Sequence, residues 1–289
     1  MWRAWSTLAG SESNFPGLRA RKPVPTLNQM INVPGPLTAE WTKIRTVRST
    51  LWSLLLTVVI SVGGGYLVAL SLRTSFSRLP LSQQVHFDPL FAAFYSLTLG
   101  QLALVVFGVV VVGSEYSSGT ICASLVAVPR RGLFYGAKVL AGMLAAFAVG
   151  VPTVVTTFLA AQAALGPHGT SLAARGSAQA AFGACLYLTL ICGFAMGTAA
   201  TLRSSARALS ILIPLLFLGS QGLGNVPEIK TFTQYLPDQA GMVIMHLAGA
   251  PGGSRFGRPY GPWAGLGILT LWAAGALVCG YLVLARADA

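Results

Sequence analysis

The chain has 289 residues, 54% of them hydrophobic and only 9% charged, and its mean hydropathy is +0.68. A soluble domain carries about 25% charged residues, so too few polar side chains are present to cover a water-exposed surface, and a bilayer protein is indicated instead. The net charge of +12 does not point to nucleic acid, because the basic residues sit in short connectors between apolar runs, where they orient membrane proteins.

Residues 1–36 hold Pro16, Pro23, Pro25, Pro34 and Pro36 and no continuous apolar stretch of the kind a signal peptide needs. They are expected to form a disordered basic cytoplasmic tail, and Met30 is an alternative start. The domain proper is expected over 37–289. It opens with 37–51, where Leu37, Trp41, Ile44, Val47 and Leu51 recur at helical spacing while Lys43, Arg45 and Arg48 fall largely off that stripe, and Glu40 precedes Lys43 by three. That pattern predicts an amphipathic helix in the membrane interface. Its basic face suits anionic lipid or a soluble partner.

Crossing about 30 Å of hydrocarbon takes about 20 residues of helix. Apolar runs at 52–72 and 91–113 meet this. Between the second and third runs lies Glu115–Lys138, EYSSGTICASLVAVPRRGLFYGAK. Ser117 and Ser118 are suited to start a helix, Ile121, Leu125 and Val128 give it one apolar face, Pro129 stops it, and Arg130 and Arg131 follow. A rigid lever at the membrane face and a tight loop whose arginines set topology both fit that composition. Further runs follow at 139–161 and 178–200. A shorter one at 207–224 contains Pro214 and is expected to be kinked. The long connector 225–262 has an apolar part too short to span, as in a re-entrant or interfacial segment, and 263–284 closes the chain. The expected fold class is an all-α membrane protein with six transmembrane helices.

Six crossings put both termini on one side. With the termini inside, the inner segments carry thirteen Lys and Arg and the outer ones, Arg73, Arg78, Arg175, Lys230, Arg255 and Arg258, carry six. Without residues 1–29 the balance is nine to six, which keeps both termini cytoplasmic in a multi-pass plasma-membrane protein.

Several chemistries lack their residues. GLFYGAK at 132–138 has the wrong spacing for a phosphate loop, and no zinc-protease or nucleophile-elbow motif occurs. No catalytic, cofactor-binding or metal-binding residue is therefore assigned. Cys122, Cys185, Cys192 and Cys279 form no CxxC pair. His86 and Asp88 are two ligands, short of a metal site. The five clear runs hold no ionisable residue before their edges, whereas a proton-coupled carrier ordinarily keeps one. Energy for uphill transport is then expected from outside the bilayer. No internal repeat is visible.

The segment LTAEWTKIRTVRSTLWSLL, Leu37 to Leu55, is similar to the N-terminal elbow and first span of actinobacterial type-2 ABC exporter permeases. EYSSGTICASLVAVPRR resembles that family's loop after the second span, through Glu115, Tyr116, Gly119, Thr120, Ile121, Leu125, Pro129 and Arg130. LYLTL at 186–190, TLRSSARAL at 201–209, YLPDQAG at 235–241 and the closing run from Trp263 resemble family segments in the same order. The resemblance implies a six-helix transmembrane domain, paired with a second copy or homologue and with cytoplasmic ABC ATPase subunits that bind the ATP. It makes 115–131 a coupling helix, with Glu115, Arg130 and Arg131 toward the partner or membrane edge and Ile121 and Leu125 as its packing face. The elbow, with Glu40, Trp41, Lys43 and Arg45, is implied to touch the ATPase or the coupling helix, and 225–262 to form short re-entrant helices. A hydrophobic or amphipathic substrate is expected. Rival readings are a secondary transporter, an enzyme using His86, Asp88, Glu228, Asp238 and His246, and a non-transporting immunity or assembly subunit.

Overall fold

The computed structural model describes residues 34–78, 80–81, 84, 87–121, 130–174, 176–221, 226, 228–248 and 257–286. The expected tail over 1–33, and His86, Cys122, Leu125 and Pro129, lie outside the described residues.

The first helix, α1 (Pro34–Thr46), is separated from α2 (Arg48–Ser75) by Val47, whose extended backbone (ψ 116°) breaks the helical run. A 3-10 turn at Phe76–Arg78 ends α2. The second run is built from α3 (Pro89–Phe94) and α4 (Leu97–Ser117). Asp88 caps α3, its Oδ1 accepting the Leu90 N–H at 2.9 Å, and Pro89 occupies the first turn where no N–H is required. Then come α5 (Arg131–Leu165), α6 (Ser177–Leu202) and α7 (Ser205–Ser220). After the short α8 (Lys230–Thr233) and α9 (Pro237–Met242), α10 (Pro262–Arg286) closes the chain.

Five stretches are long and apolar enough to cross a bilayer: Arg48–Arg78, Pro89–Ser117, Arg131–His168, Ser177–Leu202 and Pro262–Arg286. The chain is a helical, multi-pass membrane protein. The expected crossing at 207–224 corresponds to α7, whose 16 residues reach only about 24 Å at 1.5 Å each, short of the hydrocarbon thickness.

Helices α4 and α6 are mostly buried, while α2 and α10 leave most of their surface outward. Trp52, Leu55, Leu67, Leu271 and Val278 all face outward, an arrangement lipid accepts and water does not. Small residues set the helix spacing. A Cβ on Gly197 of α6 would lie 2.4 Å from the carbonyl carbon of Ala276 on α10, so these two backbones touch. A Cβ on Gly108 of α4 would lie 2.9 Å from the Cys192 carbonyl oxygen, and one on Gly65 would lie 2.9 Å from a methyl of Thr157. Gly64, Gly65, Gly193 and Gly197 are packing contacts, whereas Gly63 faces open space.

These contacts run α2 and α5 in one direction and α4, α6 and α10 in the other. One end of the bundle therefore collects α1, the end of α4, the start of α5 and the ends of α6 and α10. Arg131 donates to the carbonyls of Leu284 (3.1 Å) and Ala285 (3.2 Å), and Arg203 to that of Val283 (2.8 Å). The two guanidinium groups satisfy the last carbonyls of α10, where cations also suit the helix dipole.

Candidate functional site

At the α1 end, four charges from three separate elements meet. Glu40 and Lys43 belong to α1, Glu115 to the last turn of α4, and Lys138 to the second turn of α5. Lys138 Nζ lies 2.6 Å from Glu40 Oε2 and 2.9 Å from Glu115 Oε1. Lys43 Nζ lies 2.9 Å from Glu40 Oε1 and 2.8 Å from Glu115 Oε1. Each lysine bridges both glutamates, so two positive charges balance two negative ones. The Lys138 side chain is 3% exposed and that of Lys43 is 48% exposed, so one lysine is sealed in and the other closes the cluster at its rim. Burial opposes the charge on Lys43, but its bonds to Glu115 and Glu40 outweigh that and hold its ammonium above the ordinary lysine value.

The local sequence explains how the four arrive together. Ile44 is buried one turn after Glu40, and the two share the face of α1 that meets the bundle. Trp41 and Val47, expected on the apolar stripe, are instead turned outward, as is Leu51 at the start of α2. Lys138 Nζ also stands 5.3 Å over the Phe134 ring, one turn earlier on α5.

The tetrad brackets the segment between α4 and α5. Ser117 and Ser118 end α4 instead of starting the next helix: the Ser118 N–H and Oγ both donate to the Ser114 carbonyl, at 3.0 and 2.8 Å. Gly119 takes φ +70°, a left-handed conformation that releases the chain from α4 at no side-chain cost. Helical backbone resumes at Thr120 and Ile121. Thr120 is exposed, with its hydroxyl 2.8 Å from that of Ser118. Ile121 packs partly buried against the core. Arg130 is exposed beside Arg131, which caps α10. Tyr116 is half-buried. Of the residues expected to face a partner, Glu115 is instead buried in the tetrad and Glu40 with it, because each has a lysine to neutralise it there; Arg45 and Trp41 are exposed.

A second polar cluster occupies the other half of the bundle. Every residue of α9 is buried, and α9 packs among α6, α7 and α10. Asp238 is 0% exposed. Gln239 links it to its surroundings: Nε2 donates to the Gly219 carbonyl at 2.6 Å and to Asp238 Oδ2 at 3.2 Å, and Oε1 accepts from Arg258 at 2.6 Å. Asp238 Oδ1 has no hydrogen-bond partner among the described residues. Close by, the Tyr187 hydroxyl donates to Gln101 Oε1, and a Cβ on Gly241 would strike the Tyr187 ring. Tyr187 lies roughly 15 Å along α6 from its first residue, at 1.5 Å per residue. The connector 225–262 thus carries a short buried helix among the spanning helices, and it leads into the apolar stretch that begins at Met242. Nearer the far end, His246 Nδ1 lies 2.8 Å from Asp88 Oδ2, joining this connector to the cap of α3. Burial alone would raise the Asp88 carboxyl, but the His246 bond and the backbone N–H groups hold it below the ordinary value.

No protein-family model matches the chain, and no curated protein is significantly similar to it. The geometry of the two clusters is therefore the basis on which function is argued.

Sequence reasoning places Asp238 and Arg258 in an outer connector and misses that both are buried. Lys138 is read as an inner connector charge, yet it is the best-buried member of the tetrad. A usable signal exists in the scarcity of acids. Of seven Asp and Glu in the chain, Glu40, Asp88, Glu115 and Asp238 all make the contacts just described. Among the described residues no three His, Cys, Asp or Glu side chains converge as a metal site would require.

Proposed function

We propose that the chain is the membrane-spanning permease subunit of a type-2 ABC exporter, driven by ATP hydrolysed on separate cytoplasmic subunits. The tetrad carries this proposal. It ties α1, the end of α4 and the start of α5 into one unit at the two helix ends that flank segment 118–130. A push on that segment is then delivered to two spanning helices and the elbow together, where a loop fastened at neither end would absorb it. Sealed ion pairs resist separation because each charge stranded by a break would remain buried. Two alternative packings of the bundle, biased by ATP on the partner, would supply alternating access.

This reading includes a sixth crossing: α6 ends and α7 begins at the α1 end, α10 begins at the other, and on the six-span assignment the chain returns across the bilayer between them, with α7 as the main helix of that passage. Both termini are cytoplasmic on this assignment. The outward, apolar surfaces of α2 and α10 suit lipid or a second permease copy.

The test substitutes three residues of the segment. Ile121→Glu, Leu125→Glu and Arg130→Glu together should abolish co-purification with the proposed ABC ATPase subunit, while membrane insertion is retained. A complex that survives with full ATPase activity contradicts the coupling role.

One observation favours a second reading, a secondary transporter. Although the spanning helices lack ionisable residues in their interiors, α9 brings in Asp238, and Arg258 is buried with it. Solute uptake by the chain alone in vesicles, driven by a pH gradient and lost in Asp238→Asn, would favour that reading over the first.

A further inference from the structure

Helices α7 and α10 both pack on α6 and not closely on each other. The trough between them is a cavity of about 660 Å³, floored by Phe194, Thr198 and Thr201 of α6 and walled by Ile211 of α7 and Trp272 and Cys279 of α10. Its two threonines present methyl groups, because Thr198 Oγ1 donates to the Phe194 carbonyl (2.9 Å) and Thr201 Oγ1 to that of Gly197 (2.9 Å). Trp272 likewise turns its N–H away, donating to the Tyr235 carbonyl at 2.8 Å. Both threonine hydroxyls and the Trp272 N–H are thus satisfied elsewhere, and the surface offered is largely hydrocarbon.

The two ends of the trough differ. Toward the far end, α9 packs against both α7 and α10. The α1 end is open and basic. There α6 terminates at Arg203, whose left-handed backbone (φ 51°) turns the chain within two residues into α7. Ser204 caps α7 by accepting the Arg207 N–H, which sets Arg207 one turn before Ile211 on the same face. Arg203 and Arg207 are both exposed at this mouth, and no carboxylate pairs with either among the described residues. From Ile268 to Cys279 the trough follows α10 for roughly 16 Å, the depth of about one leaflet's hydrocarbon.

We propose that this trough is a binding site for one anionic phospholipid, with an acyl chain lying between α7 and α10 and the phosphate on Arg203 and Arg207. An apolar slot with two exposed arginines at one end matches a molecule with one long apolar limb and an anionic head. Guanidinium groups are suited to phosphate because they donate paired N–H bonds in one plane. A neutral hydrophobic solute would leave the arginines unused, and a helix of a second chain would have to present acidic residues at the mouth.

The site has two separable halves. Gly275 lines the trough, and a Cβ there would meet nothing within 4 Å, so Gly275→Phe fills the slot without disturbing packing. Arg203→Gln with Arg207→Gln removes the charge and leaves the slot. The purified full chain is exchanged into micelles containing equal phosphatidylglycerol and phosphatidylcholine, and bound lipid is counted by native mass spectrometry. Wild type should retain one lipid, preferentially phosphatidylglycerol. The double arginine variant should keep a lipid but lose preference by on the order of fivefold per arginine, and Gly275→Phe should lose the retained lipid of either type. Unchanged phosphatidylglycerol preference in the arginine variant, or unchanged retention in Gly275→Phe, overturns the proposal. So does a wild-type dimer that Gly275→Phe converts to monomer with lipid unaffected, which would assign the trough to a second copy.

Discussion

The two buried polar clusters solve the same electrostatic problem differently. At the α1 end, Glu40, Lys43, Glu115 and Lys138 neutralise one another directly, at 2.6–2.9 Å. In the other half of the bundle, Asp238 and Arg258 do not form an ion pair; Gln239 stands between them, and one carboxylate oxygen has no partner among the described residues. The first arrangement locks, since separating Lys138 from either glutamate strands a buried charge. The second is a hydrogen-bonded link on a short buried helix that is not itself a span. On the proposed exporter reading, a lock suits the place where force would enter.

The largest effect expected from breaking this contrast is at Lys138. Lys138→Met leaves Glu40 and Glu115 buried with only the rim lysine between them. It should cost about 3–5 kcal/mol, read as loss of folded protein in a detergent-unfolding titration. Next is Gly219→Ala. The added Cβ would fall 2.0 Å from Asp238 Oδ2, so α9 must shift, at about 1–3 kcal/mol. Accelerated labelling of a cysteine placed at Ala240, which is buried in wild type, reports the shift.

The smallest effect is expected at Lys43, whose half-exposed side chain is screened by solvent: Lys43→Ala should cost below about 1 kcal/mol. The ratio of the two lysine effects measures how far the lock depends on burial.

Much of the fold was legible in the sequence. The five spanning helices follow from run length, because hydrocarbon thickness dictates how many apolar residues a crossing needs; the break at Val47 does not, since the apolar spacing of 37–51 runs straight through it. Burial of charge was not legible. Glu40 looks like an i,i+3 partner of Lys43, which it is, but its second partner lies 98 residues away in Lys138, and periodicity carries no long-range information. Trp41 and Val47 face outward, as an apolar stripe in the membrane interface does; beside a bilayer apolar residues gain nothing by facing inward, so that stripe does not identify Glu40 and Ile44 as the face of α1 that meets the bundle. Ser117 and Ser118 were read as a helix start although serine also ends helices by bonding the carbonyl four residues back.

The most direct test is ATP hydrolysis in vesicles containing the cytoplasmic ATPase together with either the wild-type chain or Glu115→Gln/Lys138→Met, in which one opposite charge has been removed from each side of the tetrad. Both complexes should assemble. The wild-type complex should couple hydrolysis to substrate movement, whereas the variant should hydrolyse ATP with transport reduced at least about tenfold, on the order of 1.4 kcal/mol of lost coupling. Transport at the wild-type rate with the tetrad dismantled, or transport by this chain without any ATPase, would contradict it.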